Sequence, residues 1–263
     1  MNKRIFVLFL AVILFTMAGC GKTSSAPKSA QEVLDKAEAA MKDLKSVHSS
    51  IVYDESIVTS DPVKRTTKNV QIQSNVELNP LKVSEEVLYK IPKQGRQQLH
   101  IFQQQDQMVI KVDEEPWRKL TEAQRNGSFG VFVPYAAPVV DFTLLKPFIE
   151  TAEMEKVDYG YALHFSLSPA EYRQLVKNVS INSNDAERLI HTHTGFPVID
   201  RMDIELRVNE KTFFVTGLKL SAQVTSYFER DYIRYKQKMD AKYSYFNAVD
   251  PIKLPADAAE LVK

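Results

Sequence analysis

The sequence predicts an α+β fold: one long antiparallel sheet curled around a few helices. Three observations carry this. Alternation of apolar and polar residues with a period of two recurs over 70–91, 99–112 and 202–245. Helical periodicity is confined to three stretches, 29–46, 138–152 and 168–179. No break in composition divides the chain between 47 and 249, so these elements belong to one domain, 29–263.

The first twenty residues read as an address. Lys3 and Arg4 precede an unbroken apolar run from Ile5 to Phe15, followed by Met17-Ala18-Gly19-Cys20. The run is too short to span a bilayer, which takes about 20 residues, and fits a secretory signal. Small residues before a lone cysteine fit lipoprotein processing: residues 1–19 are removed and Cys20 takes the lipid. The expected location is the extracytoplasmic face of the cell membrane. Cys20 is the only cysteine, so the domain has no internal disulfide and depends on its core. Without Lys3 and Arg4 the formal charge falls from +1 to −1, which argues against nucleic acid and against electrostatic docking to a membrane.

Residues 20–28 are small and polar with Pro27, a flexible tether. Ser29 opens a helix, with Glu32 placed for a capping box and Val33, Leu34, Ala37, Met41 and Leu44 on one face. From Val47 the period changes to two. Val70, Ile72, Val76 and Leu78 alternate with polar residues, Asn79-Pro80 turns, and Val83, Val87, Tyr89 and Ile91 continue. Leu99–Phe102 and Met108–Val112 flank a polar turn. Asp141–Ala152 has helical spacing, with Pro147 expected to kink or restart it. Tyr159–Leu167 reads as a strand. Ser168-Pro169-Ala170-Glu171 reads as a capped helix start, and 180–197 as irregular. Met202–Val208, Leu218–Val224 and Ile233–Tyr245 alternate again. A helix through Phe228, Tyr232, Tyr235 and Met239 competes with the last strand, but the alternation favours strand. Pro255–Lys263 reads as a short terminal helix.

The order of elements and several short phrases carry a resemblance: Leu44–Ser49 (LKSVHS), Glu114–Leu120 (EEPWRKL), Ser168–Leu175 (SPAEYRQL) and Tyr245–Ala258 (YFNAVDPIKLPADA). Over nearly the whole mature chain the sequence resembles a family of Gram-positive lipoproteins related to the lipoprotein-carrier superfamily of LolA and LppX. The resemblance implies a half-open barrel: a strongly curved antiparallel sheet with helices on its concave face or in its mouth, around an apolar cavity for acyl chains. It implies no catalytic residues and maps no individual ligand contacts.

Catalytic patterns are missing from the sequence. There is no Gly-x-Ser-x-Gly elbow, phosphate loop or dinucleotide fingerprint, and a single cysteine excludes dithiol chemistry. His191 and His193 share a strand face, but two ligands make a weak metal site, so neither metal nor cofactor is expected. If the sheet curls, Val70, Ile72, Val76 and Leu78 face Ile204, Leu206, Leu218 and Leu220 across its interior. Trp117 and Phe148, with Phe129, Phe132, Tyr135 and Phe142, either border a void there or fill it. The expected function is therefore a non-enzymatic, lipid-anchored module that binds or carries a lipid or another hydrophobic ligand. The alternative is an accessory or structural lipoprotein that docks another envelope protein. Expected partners are the membrane, through the N-terminal lipid, and the hydrophobic ligand or envelope protein.

Overall fold

Ser29 starts the first ordered element for the reason its side chain suggests. Its hydroxyl accepts from the Glu32 backbone N–H at 3.2 Å, and the Glu32 carboxylate accepts from the Lys28 backbone N–H at 2.9 Å. Helix α1 (Ala30–Lys42) follows and buries Ala30, Val33, Leu34, Ala37 and Met41. It stops four residues short of the expected 46. Leu44 stays in the core, but Lys45 already donates its backbone N–H to Asn247 Oδ1 at 2.7 Å, and the sheet begins at Ser46. The computed structural model describes residues 26–262 except 61, 92–94, 106, 121–139, 172–196 and 229–230. The expected signal segment 1–19 and Cys20 lie outside the described residues.

The strands are β1 (Ser46–Thr59), β2 (Lys64–Leu78), β3 (Leu81–Ile91), β4 (Gly95–Gln104), β5 (Gln107–Val112) and β6 (Arg118–Lys119), then β7 (Glu153–Val157), β8 (Gly160–Leu167), β9 (Pro197–Asn209), β10 (Val215–Phe228) and β11 (Asp231–Ser244). They form one 11-stranded antiparallel sheet in the order β6-β5-β4-β3-β2-β1-β11-β10-β9-β8-β7. Two meanders meet where β1 pairs with β11, from His48 opposite Ser244 to Thr59 opposite Ile233. The edges β6 and β7 do not pair with each other, so the sheet is curved but not closed, as expected. The described residues of the competing helix at 228–239 lie instead in strands, Phe228 in β10 and 231–239 in β11.

The register places one apolar row across ten strands: Val112, Leu99, Val87, Ile72, Ile51, Ala241, Leu218, Leu206, Leu163 and Met154. The next row adds Tyr89, Val70, Tyr53, Met239, Leu220, Ile204 and Phe165. This face is covered by α1 and by a short segment, helix α2 (Phe142–Leu145) running into a 3-10 helix (Lys146–Thr151). The helix expected over 138–152 is thus shorter and changes type at Lys146, next to Pro147, which has no N–H to continue an α-helical ladder. Lys146 pairs with Glu38 at 2.6 Å and ties this segment to α1.

On the opposite face, the C-terminal segment packs Ile252 and Ala258, with Leu254, Leu261 and Val262, onto Phe102, Val109 and Trp117. The terminal helix reduces to one 3-10 turn, Ala259–Leu261. Of the helix expected at 168–179, residues 169–171 are helical and the remainder lies outside the described residues. Its capping box is present: Glu171 donates its N–H to Ser168 Oγ at 3.3 Å, and the Glu171 carboxylate accepts from the Ser168 N–H at 2.8 Å.

Candidate functional site

Two surfaces of the sheet can receive something. The first is the concave apolar face. Val70, Ile72, Val76, Ile204, Leu206 and Phe148 are buried in one core cluster, and Leu78, Leu218 and Leu220 pack against it half-buried. The register brings Ile72 to Ile51, Ile51 to Ala241, and Ala241 to Leu218 beside Leu206, so the two distant stripes do share one face. Tyr89, Leu99, Met108, Val112 and Tyr235 are also half-buried around this cluster. Trp117 lies elsewhere, against the second cluster on the other face. Phe129, Phe132, Tyr135, His191 and His193 lie outside the described residues. Among the described residues no three His, Cys, Asp or Glu side chains are grouped to hold a metal.

The apolar face carries a polar row that the sequence reading overlooked. Ser49, Ser74 and Glu85 are paired side by side on β1, β2 and β3, between apolar rows. Ser49 and Ser74 are 1% and 2% exposed. Ser74 Oγ donates to Glu85 Oε1 at 3.1 Å, whereas the Ser49 hydroxyl has no partner among the described residues. Burial pushes the Glu85 carboxyl up to about 7, with the Ser74 hydrogen bond opposing the rise. Glu85 is therefore partly protonated near neutrality. Parity was the available signal: in Val83-Ser84-Glu85-Glu86-Val87, Glu85 must face the same side as the two valines. Further along β1, beyond the Ile51 and Tyr53 rows, Glu55 accepts from Tyr53 and Gln237, both at 2.9 Å, and meets Lys68 at 3.3 Å. Towards the β1–β2 turn, the inner face of these central strands thus changes from apolar to polar.

The second surface is a groove of about 1190 Å³ on the opposite, charged face. Cross-strand rows build it: Val52, Asp240, Lys219, Glu205, His164 and Glu153, then Asp54, Lys238, Ser221, Asp203 and Ser166. Its charges are largely matched. Arg201 meets Asp203 at 2.5 Å, and Glu205 meets Arg207 at 2.6 Å and Lys219 at 3.5 Å. Burial works against the Glu205 charge, but Arg207 and Lys219 hold its carboxyl below the usual range. His164 sits 3.5 Å from Glu155 and 4.0 Å from Glu205. A β9 bulge beside the groove turns Asp200 to accept from Gln223 at 2.5 Å and from Thr225 at 3.0 Å.

No curated protein matches the chain significantly. Among solved structures it is similar to a LolA superfamily protein from Nitrosomonas europaea, at 13% identity and a TM-score of 0.26, covering 88% of this chain and 97% of that one. It is also similar to a DUF1329 family protein from Desulfovibrio piger, at 11% identity and a TM-score of 0.31, with the same coverage. Residues 29–262 match the family described as a family of unknown function, DUF6612, and the chain belongs to that family.

Proposed function

We propose that the chain is a non-enzymatic binding module, anchored by lipid on Cys20 to the extracytoplasmic face of the membrane, whose concave apolar face takes a hydrophobic guest. The observation that carries this reading is the continuous apolar face: rows of Leu, Ile, Val and Phe run across the sheet, and Leu99, Met108, Val112, Leu218 and Leu220 remain half-buried around the helical cover. Each guest methylene moved from water onto such a face contributes about 0.8 kcal/mol, so an acyl chain needs no charged anchor. The ordering cost of binding offsets part of that gain.

The test is displacement of a fluorescent fatty acid from the mature chain. Wild type binds the probe, and Leu220→Asp, which puts a charge on the half-buried part of the face, weakens binding at least tenfold. Circular dichroism and a melt on the same sample establish that the variant is folded. Saturable binding unchanged in folded Leu220→Asp, or no binding by wild type up to probe solubility, contradicts the proposal. The charged groove supports a second reading, an accessory protein that docks an envelope partner there. On that reading Lys238→Glu, on the other face, abolishes partner capture and leaves the protein without probe affinity.

A further inference from the structure

The formal charge conceals a segregation along the strands. At one end the β1–β2 and β10–β11 hairpins extend side by side. Ser60 joins them: its N–H donates to the Tyr232 carbonyl at 2.9 Å, its hydroxyl donates to Asp231 at 3.1 Å, and it accepts from the Tyr232 N–H at 2.7 Å. Within the β1–β2 turn, Thr59 Oγ1 donates to the Pro62 carbonyl at 2.8 Å and accepts from the Lys64 N–H at 3.3 Å. Ser60 of the first hairpin and Asp231 and Tyr232 of the second are therefore braced together.

This end of the sheet combines exposed apolar side chains with cations. Val63 is 80% exposed and Tyr227 is 54% exposed. On the same end Lys64, Arg65 and Lys236 are exposed, Lys68 is exposed but paired with Glu55, and the Arg234 guanidinium lies 5.2 Å from the Tyr232 ring. Lys90 and Arg96 stand behind, at the level of Asp54 on β1, about 17 Å back along the strand. Among the described residues, two carboxylates belong to this end: Asp231, which accepts from Ser60, and Glu55, which Lys68 pairs. At the other end of the sheet Lys156 pairs with Glu210, and Lys82 with Glu77.

We infer that this end of the sheet docks against an anionic phospholipid surface, with Val63 and Tyr227 entering the headgroup layer and the exposed Lys and Arg side chains meeting the lipid phosphates. Tyrosine, amphipathic and large, suits that layer, and basic residues near an anionic leaflet add attraction that salt screens. A lipid chain on Cys20 combined with a basic apolar contact supplies the two signals that stable anchoring takes. The inference extends the membrane-side reading above. It differs from the expectation drawn from net charge, which sums over the whole chain and does not register how charge is distributed along the strands.

The test is co-sedimentation of the mature chain carrying Cys20→Ser, which has no lipid of its own. The vesicles are phosphatidylcholine alone or with one third phosphatidylglycerol. At roughly 0.1 M salt the chain binds the anionic vesicles, does not bind the neutral ones, and is released as salt rises. The double variant Lys64→Gln/Arg65→Gln lowers the partition coefficient about twenty-five-fold, at roughly fivefold per charge. Tyr227→Ser lowers it several-fold, and Lys82→Gln/Lys156→Gln at the far end leaves it unchanged. Equal binding to both vesicle types, no binding to either, or equal losses from the two double variants overturns the inference. Fatty-acid probe binding measured on the same sample keeps the two claims apart: a chain that binds probe but ignores anionic vesicles refutes the docking end alone.

Discussion

Glu85 is the group whose ionisation the fold resists most clearly, and Glu85→Gln isolates it. The carboxyl sits in the polar row of the apolar face with one hydrogen bond, from Ser74, and burial moves it from 4.5 to about 7. Its folded value is raised above its unfolded value. The stability it contributes is therefore full below about 4.5 and is lost as pH rises through about 7. The displacement converts to at most about 3 kcal/mol over that window, and residual hydration of a carboxyl that is not fully enclosed reduces this to about 2 kcal/mol. Glutamine has nearly the same shape, can still accept from Ser74 through its amide oxygen, and never ionises. Urea unfolding of both proteins at pH 4.5, 6 and 8 measures the effect. Glu85→Gln should match wild type within about 0.5 kcal/mol at the lowest pH and exceed it by about 2 kcal/mol at the highest. Other carboxylates, such as Glu77 and Glu205, are held below the usual range and contribute the opposite slope, but they are common to both proteins and cancel. A variant that keeps the wild-type pH slope, or is destabilised equally at every pH, refutes the assignment.

Two further outcomes follow. A Cβ placed on Gly160 would lie 2.1 Å from the Val208 carbonyl oxygen, which belongs to the paired strand β9 and has no room to yield. Gly160→Ala should cost about 3 kcal/mol, read as a drop in urea midpoint, and an unchanged midpoint would contradict the close approach. Cys20→Ala should abolish both the acyl mass on the mature protein and its retention in the membrane fraction; intact-mass analysis of wild type showing an unmodified Cys20 counts against the anchor.

The fold was legible where alternation is clean. In β9 to β11, Met202, Ile204, Leu206, Leu218, Leu220 and Met239 all face the interior as their parity requires. It was less legible where two apolar residues adjoin. In β1, Ile51 faces the core while its neighbour Val52 is 39% exposed on the charged face, and the pairs Ile51-Val52 and Ile57-Val58 blur the period. β7, with a single apolar residue between acidic ones in Glu153-Met154-Glu155, left too weak a signal to identify. The charged groove depends on register: Asp240, Lys219, Glu205 and His164 come from four strands, and pairing alone brings them into line. The same limit applies to the basic end, because Val63 and Tyr227 are more than 160 residues apart and come to the same end of the sheet only through the β1–β11 pairing. The grouping of Trp117 with the concave face failed for a related reason. Phe102 and Val109 face outward, opposite to Ile101 and Ile110, and the C-terminal segment encloses Trp117 there.

The central claim is that the apolar face holds a hydrophobic guest. Native mass spectrometry of the protein purified from its own membrane in a mild detergent tests it most directly, with the mass of the N-terminal lipid determined separately on denatured protein. The account predicts a population heavier than the lipidated chain by the mass of a lipid or another apolar molecule, released by organic extraction and depleted in Leu220→Asp. A single species at the mass of the lipidated chain alone, with nothing recovered on extraction, would contradict it.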